Sequence, residues 1–261
     1  MKIFCKEIWQ NRHALRSQIY VNTKTSVATT KLGTLWWVLD PIFLMIIYYF
    51  VVKVIFNRGG PDYHLFLLCG LVTYQFFSRT VSLCTSALTT NAELIKQAAV
   101  PMVLYLTISP LVQAFFCLIG YVIIMVWHYH ALGLHTIAIV FPLLLTILIT
   151  FTCGLFLSIF EVYIRDTGKL MAYVLRFGTF LCPVLYSADR IYDSPTIPQY
   201  AKTLYTLNPM AHVITAVKDI LFHGRIFDPV PLIIVLACTL AVMQIGLLFF
   251  RKAAPYVPKM L

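Results

Sequence analysis

Residues 34–56, TLWWVLDPIFLMIIYYFVVKVIF, form a run of 23 residues in which Asp40 and Lys53 carry the charge. As a helix rising about 1.5 Å per residue, the run extends about 34 Å, enough to cross a hydrocarbon core of about 30 Å. Trp36 and Trp37 stand at its start, where an amphipathic ring settles at the membrane–water boundary. A chain carrying such a run has to be read in lipid. The rest agrees: of 261 residues 60% are hydrophobic and 11% charged, against about 25% charged in soluble domains. Five further apolar stretches follow, at 64–86, 102–127, 136–160, 170–187 and 229–250, each near or above spanning length. The fold class is therefore an all-α integral membrane protein with six transmembrane helices, over a membrane domain of residues 34–261. Pro110 and Pro142 fall inside two of the spans, where proline is tolerated if neighbours satisfy the freed carbonyl.

Residues 1–33 precede the first span and hold Lys2, Lys6, Arg12, Arg16, Lys24 and Lys31 against Glu7. Phe4, Ile8, Leu15 and Ile19 recur at roughly helical spacing, which describes an amphipathic helix on the cytoplasmic membrane surface; a disordered basic tail is the alternative. No apolar leader core occurs in the first thirty residues, so no cleavable signal is expected and the first span serves as the insertion signal. The net charge of +10 points to membrane orientation and anionic lipid rather than nucleic acid. Thirteen Lys and Arg residues fall on the N-terminal side of the membrane and five on the other, which places both termini in the cytoplasm by the positive-inside rule. The seven cysteines include no C-x-x-C pair and read as buried thiols, with neither a disulfide frame nor a metal site.

Two connections stand out. Thr90-Asn91-Ala92-Glu93 has the T-x-x-E pattern of a capping box, with Thr90 at the N-cap and Glu93 three residues on. Leu94, Ile95 and Ala98 give the following turns an apolar side, and Pro101 stops them. A short separate helix is expected across the cytoplasmic face. The second connection, 187–228, is too long for a turn. Six of the 13 prolines lie between Pro183 and Pro231, yet apolar pieces remain at 197–207 and 210–222. These are expected as outer re-entrant helices between spans five and six, lining a cavity.

No phosphate-binding G-x-x-x-x-G-K-[ST], no H-E-x-x-H and no nucleophile beside a placed base is present. Catalytic and metal residues are therefore none, and the chain itself is expected to hold no cofactor. An aromatic wall gives many weak contacts that hold passing cargo without stalling it. Trp36, Trp37, Tyr48, Tyr49 and Phe50 on span one are the candidates, with lipid contact and helix packing as the alternative. Asp40 and Arg176 are charges within spans, which usually face protein or water, and are candidates for the cytoplasmic mouth of a channel.

Five short motifs, in order along the chain, carry a family resemblance. Leu32-Gly33-Thr34-Leu35-Trp36-Trp37-Val38-Leu39-Asp40-Pro41 resembles the L-G-x-x-W-x-x-x-x-P opening of ABC-2 type polysaccharide export permeases. Ile95-Lys96 with Val100-Pro101 is similar to their cytoplasmic turn, and Val162 to Asp166 to their V-x-x-R-D. Cys182 to Tyr186 resembles their P-V-x-Y, and Leu207 to Met210 their N-P-[LM]. The resemblance implies a homodimer in a bacterial inner membrane, joined to two separate ATP-binding cassette subunits that hold ATP and magnesium. It implies export of a lipid-linked glycan of O-antigen or capsule type, with teichoic acid as the alternative. It implies that 91–101 couples to the ATPase, with Thr90, Glu93, Ile95, Lys96, Pro101, Arg165 and Asp166 involved. Pro183, Tyr186, Tyr205, Asn208 and Pro209 would belong to an outer gate. Two other classes compete. An intramembrane enzyme acting on lipid-linked sugars needs an acidic pair or histidine near a membrane face, whereas Asp40 and Glu161 stand in different segments. A drug-type exporter usually carries a large outer domain or a fused ATPase.

Overall fold

The structure is a computed structural model that describes residue 19 and residues 35–97, 101–131 and 133–261. The expected interface helix over 1–33 and the end of the expected coupling helix, Ala98 to Val100, lie outside the described residues. Among the described residues every regular element is helical.

The apolar runs become helices close to their sequence limits. Helix α1 covers Trp36–Tyr49 and widens into π-helical turns over Phe50–Ile55. Helix α2 is Tyr63–Thr85, α3 is Ala92–Gln97 and α4 is Val103–Trp127. Helix α5 is Val140–Tyr163, preceded by a 3-10 stretch over Leu134–Ile139. Helix α6 is Thr167–Leu181, α7 is Gln199–Thr206, α8 is Pro209–Leu221 and α9 is Pro229–Ala253. Five helical stretches are long and apolar enough to cross a membrane: Trp36–Ile55, Tyr63–Thr85, Val103–Trp127, Leu134–Tyr163 and Pro229–Met260.

Helix α2 is the axis of the bundle and packs against α1, α4, α5, α6 and α8. Its apolar core window is 72% buried, whereas that of α1 is 11% buried, so α1 lies at the edge. The threonines of α2 hide their hydroxyls in the helix: Thr73 donates to the Cys69 carbonyl, Thr80 to Phe76 and Thr85 to Val81. That arrangement lets a helix carry hydroxyls in an apolar interior. Helix contact in lipid depends on close approach at small residues. A Cβ on Gly120 of α4 would lie 2.8 Å from Val72, and one on Gly154 of α5 would lie 2.8 Å from Cys84. Pro110 cannot bond the Leu106 carbonyl; the Cys84 thiol of α2 donates to that oxygen at 3.6 Å instead.

The fifth expected span, 170–187, is shorter as a helix. Helix α6 has 15 residues, about 22 Å at 1.5 Å per residue. Pro183 ends it, because the residue before a proline is driven out of the α region, and Cys182 is extended at φ −99° and ψ 155°. Two further expectations are corrected. Thr90 is not an N-cap: it ends a preceding helical turn, Ala87–Thr90. The first backbone bond of α3 runs from the Ile95 N–H to the Asn91 carbonyl at 2.9 Å, so Asn91 holds the cap position. Leu94 and Ile95 do not share a face, since Ile95 is buried while Leu94 is exposed; neighbours in a helix point about 100° apart.

Candidate functional site: an aromatic cavity and the outer segment

A cavity of about 820 Å³ lies between α1, α2, α4 and α6. Helix α2 lines it from Leu71 to Leu83, about 18 Å along the helix axis. Trp37, Tyr48, Tyr74 and Phe180 supply aromatic wall, and Gln75, Ser78, Gln113, Arg79 and Arg176 supply polar groups.

The polar end is built around Arg79. Its guanidinium donates to the Asp40 carboxylate and lies 4.8 Å from the Trp37 ring centroid. Trp37 in turn stacks on Phe116 of α4 at 4.1 Å with the planes 3° apart. Arginine suits this position because its planar head donates to a carboxylate while lying against an aromatic face. The Gln113 Oε1 atom beside them is buried and has no hydrogen-bond partner among the described residues. Arg176 stands exposed on α6 at the opposite wall, 6.0 Å from the Tyr173 ring. Arg79 is in α2, inside the stretch expected as the second span, and its role shows through a partner 39 positions away.

Of the span-one aromatics, Trp37 and Tyr48 line this cavity. Trp36 and Phe50 are exposed on the outer surface of α1, and Tyr49 packs toward Tyr63 and His64 at 6.5 and 6.4 Å. On the connection between α2 and α4, Glu93 and Lys96 are exposed while Ile95 packs with Leu88 and Val257. The Pro101 carbonyl receives the Leu104 N–H at 3.0 Å and so opens α4. In the turn before α6, Arg165 is exposed and Asp166 pairs with Lys169 at 3.2 Å on the surface. Glu161 accepts the Gly168 N–H at 2.6 Å, placing an anion at the positive end of α6.

The outer segment begins where α6 ends. Tyr186 donates to the Phe180 carbonyl at 3.0 Å, and the Tyr205 ring lies 6.4 Å from Tyr186 and 5.8 Å from Tyr192. Burial pushes the Tyr186 phenol up to about 12 and raises Tyr205 as well, so both rings keep their protons at physiological pH. Asn208 caps α8, its Oδ1 accepting the Met210 N–H at 3.0 Å, with Pro209 at the first helical position; this is the expected helix start. Pro183 gives its carbonyl to the Lys218 amine. Lys218, which the sequence reading placed among outer-loop charges, is 3% exposed in α8.

A bundle of membrane-length helices around a long aromatic cavity with two arginines, and no nucleotide-binding motif in the sequence, has the form of a multi-pass membrane transport protein. The chain belongs to the ABC-2 type transporter family, whose model matches residues 17–222. It is 24% identical over 234 residues to an O-antigen export system permease protein RfbA of Klebsiella pneumoniae, covering 88% of this chain and 87% of that one. It is 24% identical over 250 residues to an RfbA of Myxococcus xanthus, with 91% of each covered. It is 26% identical over 232 residues to the polysialic acid transport protein KpsM of Escherichia coli, at 87% and 88% coverage. These relatives are named as permeases and transport proteins, not as enzymes.

Proposed function

We propose that this chain is the membrane-spanning subunit of an ATP-driven exporter that carries a lipid-linked polysaccharide, of O-antigen or capsule type, across a bacterial inner membrane. The observation that carries the reading is the cavity. Its aromatic walls contact sugar faces without a single tight site. Its Asp40–Arg79 pair and Arg176 put charge at one end, where hydrophilic cargo has to enter. The other end runs under Phe180, whose carbonyl is tied to Tyr186 of the outer segment. The path therefore leads from the charged mouth toward the tyrosine cluster.

In this reading two copies pair in the membrane and two separate ATP-binding cassette subunits supply hydrolysis, with ATP and magnesium held on them. Helix α3 and the Arg165–Asp166 turn face those subunits. The chain crosses six times with both termini inside, and the tyrosine cluster of the outer segment is the exit gate. The experiment is removal of the chain from its host, followed by detection of the glycan with an impermeant lectin. Glycan should disappear from the surface and collect, still lipid-linked, in the inner membrane. Unchanged surface glycan would exclude the proposed role.

A further inference from the structure

The outer segment divides into two parts with opposite packing. Residues 182–184 are buried, and so is most of α8, including Met210, Val213, Ile214, Val217 and Ile220. Between them, from 185 to 209, no residue is buried. A crevice of about 210 Å³ separates the intervening stretch from α8 and α9.

The buried part is fastened at every backbone oxygen of the non-helical piece after α6. The Cys182 carbonyl accepts the Val184 N–H at 2.7 Å. The Lys218 Nζ donates to the carbonyls of Pro183 and Val184, the second at 3.1 Å. The Tyr63 hydroxyl of α2 donates to the Leu185 carbonyl at 2.7 Å. Lys218 also lies 3.3 Å from the Phe66 ring centroid of α2, in the geometry by which an ammonium is held on an aromatic face. A Cβ on Gly70 would lie 3.0 Å from Val184 and 3.2 Å from Lys218, so α2 leaves room for this joint. Helix α8 is secured at its ends too: Asn208 Nδ2 meets the Cys182 thiol at 3.3 Å, and His128 Nδ1 meets the Leu221 carbonyl at 3.1 Å. Asp219 is engaged by Arg225 at 2.7 Å, so the Lys218 amine is held by carbonyls and a ring rather than by that neighbouring carboxylate.

The exposed stretch reaches the helices beside it through Tyr186 to the Phe180 carbonyl at 3.0 Å and through the Thr206 carbonyl to His212 Nε2 at 2.7 Å, and is otherwise fastened to itself. Lys202 donates to the Tyr192 carbonyl at 2.6 Å, and Tyr192 meets Thr206 at 3.4 Å. An amine buried among carbonyls is costly to place, and its effect is to join three elements that the chain brings together from far apart.

We propose that Lys218 is a positioning residue for export: it bolts residues 182–185 and α8 to α2 as a fixed rim, and residues 186–207 are the part of the outer segment that moves against that rim. This rests on the reading of the outer segment as the exit gate, and the experiment separates the two. Amide exchange is followed in the nanodisc-embedded exporting complex, at rest and during ATP turnover. In the native chain 186–207 should exchange fast and change with turnover, while 182–185 and 208–221 stay protected in both states. Lys218→Met keeps length and apolar contacts but removes the donors. It should lower protection of 182–185 and α8 about tenfold or more, leave α4 and α9 protected, and raise resting ion leak; Tyr63→Phe should act in the same direction. Unchanged protection in both variants overturns the proposal. A second arm needs no change at Lys218. With the other cysteines replaced, Asn208→Cys faces native Cys182, and, measured against the same variant kept reduced, oxidation should join the two without further loss of surface glycan. Loss of export that a reductant restores would show that this joint must open, and overturns the fixed rim. If 182–185 and α8 behave as a rim but 186–207 is unaffected by turnover, the exit-gate reading fails and the moving half of the proposal fails with it.

Discussion

Asp40 and Arg79 are each about a third exposed as a pair, at 37% and 33%, and such pairs contribute about 0–1 kcal/mol to stability. The pair therefore adds little to folding, and in the proposed reading its use lies at the cavity that Arg79 lines. Neutralising Asp40 frees the Arg79 guanidinium to reach into the cavity while Trp37 and Phe116 still brace the wall. Asp40→Asn should reduce export severalfold yet shift detergent unfolding by about 1 kcal/mol or less. Arg176→Gln, on the facing wall, should do the same. Surface glycan at native level in both variants would remove these residues from the transport path. Asp40 and Arg176 were legible in the sequence because a charge inside an apolar run is expensive and needs a reason. Arg79 and Lys218 also fall inside apolar stretches, 64–86 and 210–222, but entered the reading only as charges counted for topology. What defines them is a partner 39 or 35 positions away, and no local window holds both members.

Elements whose apolar pattern was long and uninterrupted, α2, α4, α5 and α9, were legible to within a few residues. The misreadings fall where a proline or a single turn decides the boundary, as at Pro183 after α6 and at Asn91 before α3. The position of that cap alters how α3 is best tested. Glu93 lies in the first turn, where a proline is accommodated because its N–H has no helical partner. Lys96 lies past the first turn, and a proline there removes a helix bond at a cost of about 3 kcal/mol. A helix as short as α3, six residues, is well below the length that is stable alone, so Lys96→Pro should unfold it. Insertion and pairing of the chain should persist, with ATP hydrolysis continuing while export stops. Export at native level in the reconstituted complex would end the coupling role of α3. The outer segment offers a second test at this scale. Tyr186→Ala with Tyr205→Ala removes two of the three clustered rings, and resting membranes should then conduct small ions. A tight membrane together with a weakened dimer would make the segment a brace instead of a gate.

For the whole molecule the open question of topology is whether the stretch led by α6 completes a crossing. Charge alone does not decide. If it failed to cross, residues 187–228 would move inside with four basic residues and the tail would move outside with three, Arg251, Lys252 and Lys259, so the bias would hardly change. Hydrogen bonding bears on it more than length: helix α6 gives about 22 Å, short of a core of about 30 Å, and residues 182–185 continue it as turn and bend. Non-helical backbone at that depth is tolerated where protein satisfies it, and the carbonyls of 182–185 are all engaged, by Val184, Lys218 and Tyr63. The proposed six crossings, with the tail on the same side as Ala92, accord with that hydrogen bonding. Single cysteines on a background cleared of native thiols check this in intact cells with an impermeant reagent. Positions 59 and 130 should label, and positions 92 and 260 should not. Labelling at 260 with 92 silent would mean five crossings, with the α6 stretch lying on the inner side.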